Sequence, residues 1–184
     1  YAYLLEMDWI PETVYEEKLN ELFNSKLPKT YDPLKRSLTN PLPVAYLKIG
    51  EGCSNRCAYC AIPSIRGEMR SRKIEDVVAE AETLAARGVR ELIVVAQDTT
   101  RYGEDLYGKP MLPQLLTRLC QIEEVHWIRI LYAYPDRLTD ELIEVMAREE
   151  KIIKYIDLPI QHIIDKILNT VVREKRRYSD FAVR

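Results

Sequence analysis

From Val44 onward the chain switches repeatedly between two hydrophobic periods. Short β-branched runs are each followed by a stretch in which apolar residues recur every three or four positions, the alternation expected of βα units on a parallel sheet. Four such units are predicted, which places the chain in the α/β class. Residues 45–49 form the first predicted strand. After a long loop a helix starts near Ser71, with Ile74, Val77, Val78, Ala81, Leu84 and Ala85 as its buried stripe and Gly88 as its stop. Residues 91–96 form the second strand, followed by a loop to Lys109 and a helix bearing Leu112, Leu115, Leu116 and Leu119. The third strand covers 127–131. Thr139 then suits the N-cap of a helix burying Leu142, Ile143 and Met146, and 154–158 make the fourth strand. A last helix is expected over 163–172.

The first 44 residues read differently. Residues 11–23 have the spacing of a short amphipathic helix, and Pro28, Pro33, Pro41 and Pro43 then interrupt any regular structure, as in a linker entering a domain. The chain starts at Tyr1 rather than Met and ends soon after the basic run 173–177, which reads as a piece of something longer.

Composition narrows the class. With 184 residues, 47% hydrophobic and 30% charged, the chain has the make-up of a globular protein with one sizeable core. No apolar run approaches the roughly 20 residues of a membrane span, and no basic-then-apolar leader is present, so a cytoplasmic protein without a membrane partner is expected. A net charge of -2 names no partner and disfavours a nucleic-acid module, whose footprint would be a basic stripe.

Candidate chemistry concentrates in one loop. Cys53, Cys57 and Cys60 lie in the run Cys-Ser-Asn-Arg-Cys-Ala-Tyr-Cys, and the only other cysteine is Cys120. Clustered thiols of this kind suit a metal site in a reducing compartment better than a disulfide framework. A cubane 4Fe-4S cluster held by three thiolates would keep one iron free for a small molecule. Two plainer readings stand beside this one. Zinc would need a fourth ligand, and His126 and His162, the only histidines, form no finger-like pair with a cysteine. Three unrelated buried cysteines would seldom gather in a single glycine-flanked loop.

In parallel βα folds the loops after the C-terminal strand ends share one rim, where active sites are built. The cysteine loop, Gln97-Asp98-Thr99-Thr100, Tyr132-Ala133-Tyr134-Pro135-Asp136 and Pro159-Ile160-Gln161-His162 all fall on that predicted rim.

Cys-x3-Cys-x2-Cys with Tyr59 before the last cysteine resembles the radical S-adenosylmethionine (SAM) superfamily. There the open iron of the cluster chelates the amino and carboxylate groups of SAM, and the reduced cluster cleaves its sulfonium to start radical chemistry. The resemblance narrows with residues 46–53, Ala61-Ile62-Pro63-Ser64-Ile65-Arg66-Gly67 and Arg70-Ser71-Arg72, which look like the methylthiotransferases. Residues 96–103 and 155–162 look like the branch that modifies an aspartate of protein twelve of the small ribosomal subunit. The alternative branch acts on tRNA and typically carries an Asn-rich loop at the first of these places.

The resemblance implies a partial TIM-like barrel of six βα units, about four of them present here. Cys53, Cys57 and Cys60 would be the cluster ligands, and Tyr59, Gln97, Asp98 and Gln161 the cofactor contacts. It also implies a small-subunit ribosomal protein as substrate and an electron donor that the sequence does not name. Local readings compete with each role: Gln97 and Asp98 also suit turn caps, and Tyr59 also suits core packing. Arg66, Arg70 and Arg72 form a small basic loop with no assigned role, Cys120 reads as a small core hydrophobe, and His162 as either a pocket residue or a satisfied helix start. Complete members of the family also have an N-terminal domain holding an auxiliary cluster and a C-terminal β-barrel. No cysteine precedes Cys53, so the ligands of that second cluster are expected outside this sequence, and the chain is expected to be the cluster-bearing portion without full activity.

Overall fold

The computed structural model describes residues 42–160. The helices expected over 11–23 and 163–172, together with Gln161 and His162, lie outside the described residues. Strand β1 (Val44–Lys48) is followed by the two-residue strand β2 (Gly50–Glu51), helix α1 (Ile62–Arg66), strand β3 (Arg70–Ser71) and helix α2 (Ile74–Ala86). Strand β4 (Glu91–Val95), helices α3 (Glu104–Tyr107) and α4 (Leu112–Cys120), strand β5 (Trp127–Ile130) and helix α5 (Asp140–Arg148) complete the described part.

The main sheet has the order β1-β4-β5, all parallel, and β2 pairs with β3 antiparallel. Strand residues alternate as a period of two requires. Ala45, Leu47, Leu92, Val94, Ile128 and Ile130 are buried, and the opposite face carries Tyr46, Lys48, Glu91 and Arg129. Arg129 on that face bonds Glu91 at 2.9 Å and stacks on the Tyr155 ring at 5.9 Å.

Helix α2 buries the six residues of its predicted stripe and, in addition, Glu80. It begins at Ile74, because Ser71 is drawn into pairing with Gly50, and Gly88 ends it with a left-handed φ of 97°. Helix α4 buries Leu112, Leu115, Leu116 and Leu119, with Pro113 in its first turn where no backbone donor is lost. Cys120 at its end packs against the core, as a small hydrophobe would. In α5 the Thr139 hydroxyl caps the Leu142 N–H at 3.2 Å, as its sequence position indicates. The buried set there is Leu142, Val145 and Met146, while Ile143 is 48% exposed. A stripe at i, i+3, i+4 takes Val145 in and turns Ile143, one residue past Leu142, onto the outer flank.

The fourth predicted strand does not form over 154–158. Among the described residues, the segment after α5 pairs with the sheet at one isolated parallel bridge, between Ile128 and Ile152, with Ile153 N donating to Ile128 O at 3.0 Å. Tyr155 N then turns back to Ile153 O at 2.7 Å, and Lys154 Nζ reaches the Glu149 carbonyl at the end of α5, so the extended course stops there. No helix among the described residues is long and apolar enough to cross a membrane.

Candidate cluster and cofactor site

Parallel register sets the strand ends level: Lys48 lies opposite Val95, and Val94 opposite Ile130. The loops that follow β1, β4 and β5 therefore meet on one rim, as expected of the fold. His126 sits before β5, at the other end of the strand, and joins none of them.

The cysteine loop is closed at its base by the β2–β3 pair and by Cys53 N donating to Gly67 O at 3.1 Å. Gly52 is indispensable to that closure. Its φ is 78°, and a Cβ there would stand 2.2 Å from the Glu68 carbonyl oxygen. Within the loop, Cys60 N donates to Cys57 O at 3.1 Å, a turn that brings the last two cysteines together, and Arg56 between Asn55 and Cys57 has a positive φ of 45°. Met69 N donates to Ser54 Oγ at 3.1 Å.

All three cysteines are free thiols and line one open cleft of about 490 Å³, together with Arg56, Ser64, Gly67 and Glu68. Among the described residues no three His, Cys, Asp or Glu side chains are gathered tightly enough to hold a single metal ion. Three thiols lining one cleft are a donor set that suits a polynuclear cluster. Burial raises the Cys53 thiol above its ordinary value, with Asp98 and the other two cysteines adding to the shift.

Asp98 is 1% exposed and engaged on both oxygens. One accepts from Thr100 N at 3.0 Å and from the Thr100 hydroxyl at 2.5 Å; the other accepts from Asn55 Nδ2 at 2.6 Å. Asn55 Oδ1 in turn accepts from Arg101 at 2.8 Å. The turn-cap reading of Asp98 thus holds, and the carboxylate also holds the cysteine loop. Gln97 differs: its Nε2 lies 3.5 Å from Glu51 Oε1, while its own Oε1 is buried with no hydrogen-bond partner among the described residues. Glu51 also pairs with Lys48 and Arg66. Burial pushes its carboxyl up, but the Lys48 ammonium, the Gly52 N–H and Arg66 together bring it below the usual value.

Tyr59 is 62% exposed at the loop and stands near Tyr134. Tyr134, after β5, places its hydroxyl 3.8 Å from Cys57 Sγ. Burial first, and then Cys57, hold its phenol above the ordinary tyrosine range. Of the three arginines without an assigned role, Arg72 is structural, bonding the buried Glu80 at 2.5 Å and the Lys48 carbonyl at 2.7 Å. Arg66 faces Glu51 at 3.7 Å, and Arg70 reaches the Arg66 carbonyl at 3.3 Å. Sequence reasoning placed the Tyr134 loop on the rim without giving Tyr134 a role, and it passed over Asn55; the position of Asn55 between the cysteines was the available signal.

A three-cysteine loop at the rim of a parallel α/β sheet defines a class of iron–sulfur proteins, and comparison with known families agrees. The model of the radical SAM superfamily matches residues 47–182, and the chain belongs to that superfamily. Among curated relatives, the chain is 56% identical over 144 residues to the ribosomal protein uS12 methylthiotransferase RimO of Caldanaerobacter subterraneus subsp. tengcongensis, covering 78% of this chain and 33% of the relative. It is 58% identical over 140 residues to RimO of Moorella thermoacetica, covering 76% of the chain and 32% of that protein. The match to RimO of Clostridioides difficile is 47% over 171 residues, covering 93% of the chain and 37% of the relative. The chain thus spans about a third of the length of these proteins. Among solved structures, the radical SAM methyltransferase TsrM of Kitasatospora setae, with cobalamin and a [4Fe-4S] cluster bound, matches with a TM-score of 0.58 at 17% identity. That match covers 75% of this chain and 27% of TsrM, and it supports the partial-barrel α/β fold.

Proposed function

We propose that this chain is the cluster- and SAM-binding portion of a RimO-type methylthiotransferase, whose substrate is an aspartate of ribosomal protein uS12. The observation that carries the reading is the convergence of three free thiols, Cys53, Cys57 and Cys60, on one open cleft at the active rim. The name shared by the relatives supports the choice of substrate over tRNA. The residues suit the group. The three thiolates hold the cluster, and the partnerless Gln97 Oε1 is a ready acceptor for the ammonium group of SAM. When bound, the cluster supplies an open iron for SAM and the electron that starts radical chemistry.

The chain's own residues bind and orient. Tyr59, exposed beside the cleft, offers a ring face to the adenine. Asp98 acts through Asn55, fixing the cysteine loop against the end of β4. Gln161, just past the described residues, is kept as a further cofactor contact. The auxiliary cluster, the uS12-binding surface and the electron donor belong to the whole protein.

Anaerobic reconstitution of the chain with iron and sulfide, followed by electron paramagnetic resonance, tests the site. Uptake of about four irons per chain, abolished in Cys57→Ala, is the expected result. A chain that binds zinc and takes up no iron and sulfide would overturn the reading. For the substrate, assay of the whole protein should give methylthiolated uS12; modified tRNA with untouched uS12 would reverse the assignment.

A further inference from the structure

Tyr134 is held toward Cys57 more firmly than packing alone would require. Its backbone N–H donates to Thr100 Oγ1 at 3.3 Å, and Thr100 is itself bonded to Asp98. The preceding residues are tied down as well: Thr99 N donates to Tyr132 O at 3.0 Å, the Thr99 hydroxyl to Leu131 O at 2.9 Å, and Ala133 N to Asp157 O at 3.0 Å. Asp98 also holds Asn55 in the cysteine loop. One buried carboxylate therefore fixes both the loop that carries the phenol and the loop that carries the thiol.

We infer that Tyr134 is a positioning residue whose hydroxyl donates a hydrogen bond to Cys57 Sγ and thereby raises the reduction potential of the cluster held there. The inference rests on the cluster reading above. In the free protein either atom can donate across the 3.8 Å separation. A cysteine that ligates iron has lost its proton and can only accept, so the phenol must be the donor. A donor at a ligating sulfur draws negative charge from it and favours the reduced, more negative cluster, and such bonds are among the determinants of iron–sulfur potentials. Tyr134 thus eases delivery of the electron to the cluster by acting through Cys57.

Tyr134→Phe removes the hydroxyl and keeps the ring. The reconstituted full chain and this variant are compared in redox titrations followed by electron paramagnetic resonance, without SAM, with iron and sulfide measured on each. Tyr132→Phe is the control, since Tyr132 lies in the same loop, is 51% exposed and is tied down through its backbone N–H, which donates to Asp157 Oδ2. At the potential where half of the parent clusters are reduced, Tyr134→Phe should show a reduced-to-oxidised ratio about tenfold lower, a shift of ~59 mV for a one-electron couple. The control should titrate like the parent. Equal midpoints for parent and Tyr134→Phe at equal iron content would overturn the inference and leave the cluster reading standing, as would an equal shift in the control. A parent chain that takes up no iron would overturn both, and iron analysis shows this before any titration.

Discussion

Asp98 and Asn55, 43 positions apart, meet through a buried hydrogen bond of 2.6 Å, and that contact joins the end of β4 to the loop of the three cysteines. It gives the loop an anchor that its own sequence lacks. The short helix α1 within the loop buries no residue, so apolar packing contributes little to holding the thiols in place.

Asn55→Ala should therefore loosen the site more than its size suggests. The change leaves one Asp98 oxygen without its donor in a buried setting and removes the acceptor of Arg101. A loss of about 1–3 kcal/mol is expected in denaturant unfolding. Iron uptake on reconstitution should fall with it. Unchanged stability and uptake would show that the loop is held by other means.

A second expectation concerns Arg72 and Glu80. Glu80 is 1% exposed and bonded by Arg72 across the start of α2. Arg72→Ala should cost about 3–5 kcal/mol, because a buried carboxylate loses its cationic partner. The double replacement Arg72→Met with Glu80→Leu should recover much of that loss. Thermal or denaturant melts of the single and double variants check this, and a double variant no better than Arg72→Ala would contradict it.

Cys120 supplies a pH dependence away from the cluster loop. Burial, aided by Glu149, pushes its thiol from 9.0 up to about 11. Between those values the unfolded chain has released the proton that the folded chain still holds, so this group's contribution to stability falls as pH rises from 9 to 11. Cys120→Ala should remove that part of the alkaline loss. At pH 8 its alkylation, followed by peptide mass spectrometry, should run about a hundredfold slower than that of an unperturbed thiol; equal rates would refute the shift.

Much of this was legible in the sequence wherever a local period decided the outcome. The stripes of α2 and α4 follow from apolar spacing, and the Thr139 cap from residue chemistry at a helix start. Reading failed where a long-range contact competed. Ile143 looked as apolar as Val145, and only the direction of the core relative to α5 chose between them. Residues 154–158 carry the apolar Tyr155, Ile156 and Leu158 and read as a strand, yet the turn at Tyr155 and the reach of Lys154 to the end of α5 stop the ladder just past Ile152.

By itself, the sequence determined the chemistry on offer: three thiols at a spacing that fits one cluster, in a loop after a parallel strand. It determined the α/β class as well, because hydrophobic period is a property of neighbours along the chain. Tertiary structure decided what those thiols face. Asn55, Asp98, Thr100 and Tyr134 form one hydrogen-bonded arrangement around Cys57 only because parallel pairing sets the ends of β1, β4 and β5 level. That alignment arises from backbone hydrogen bonds between segments far apart in the chain, and spacing within the chain carries no record of it.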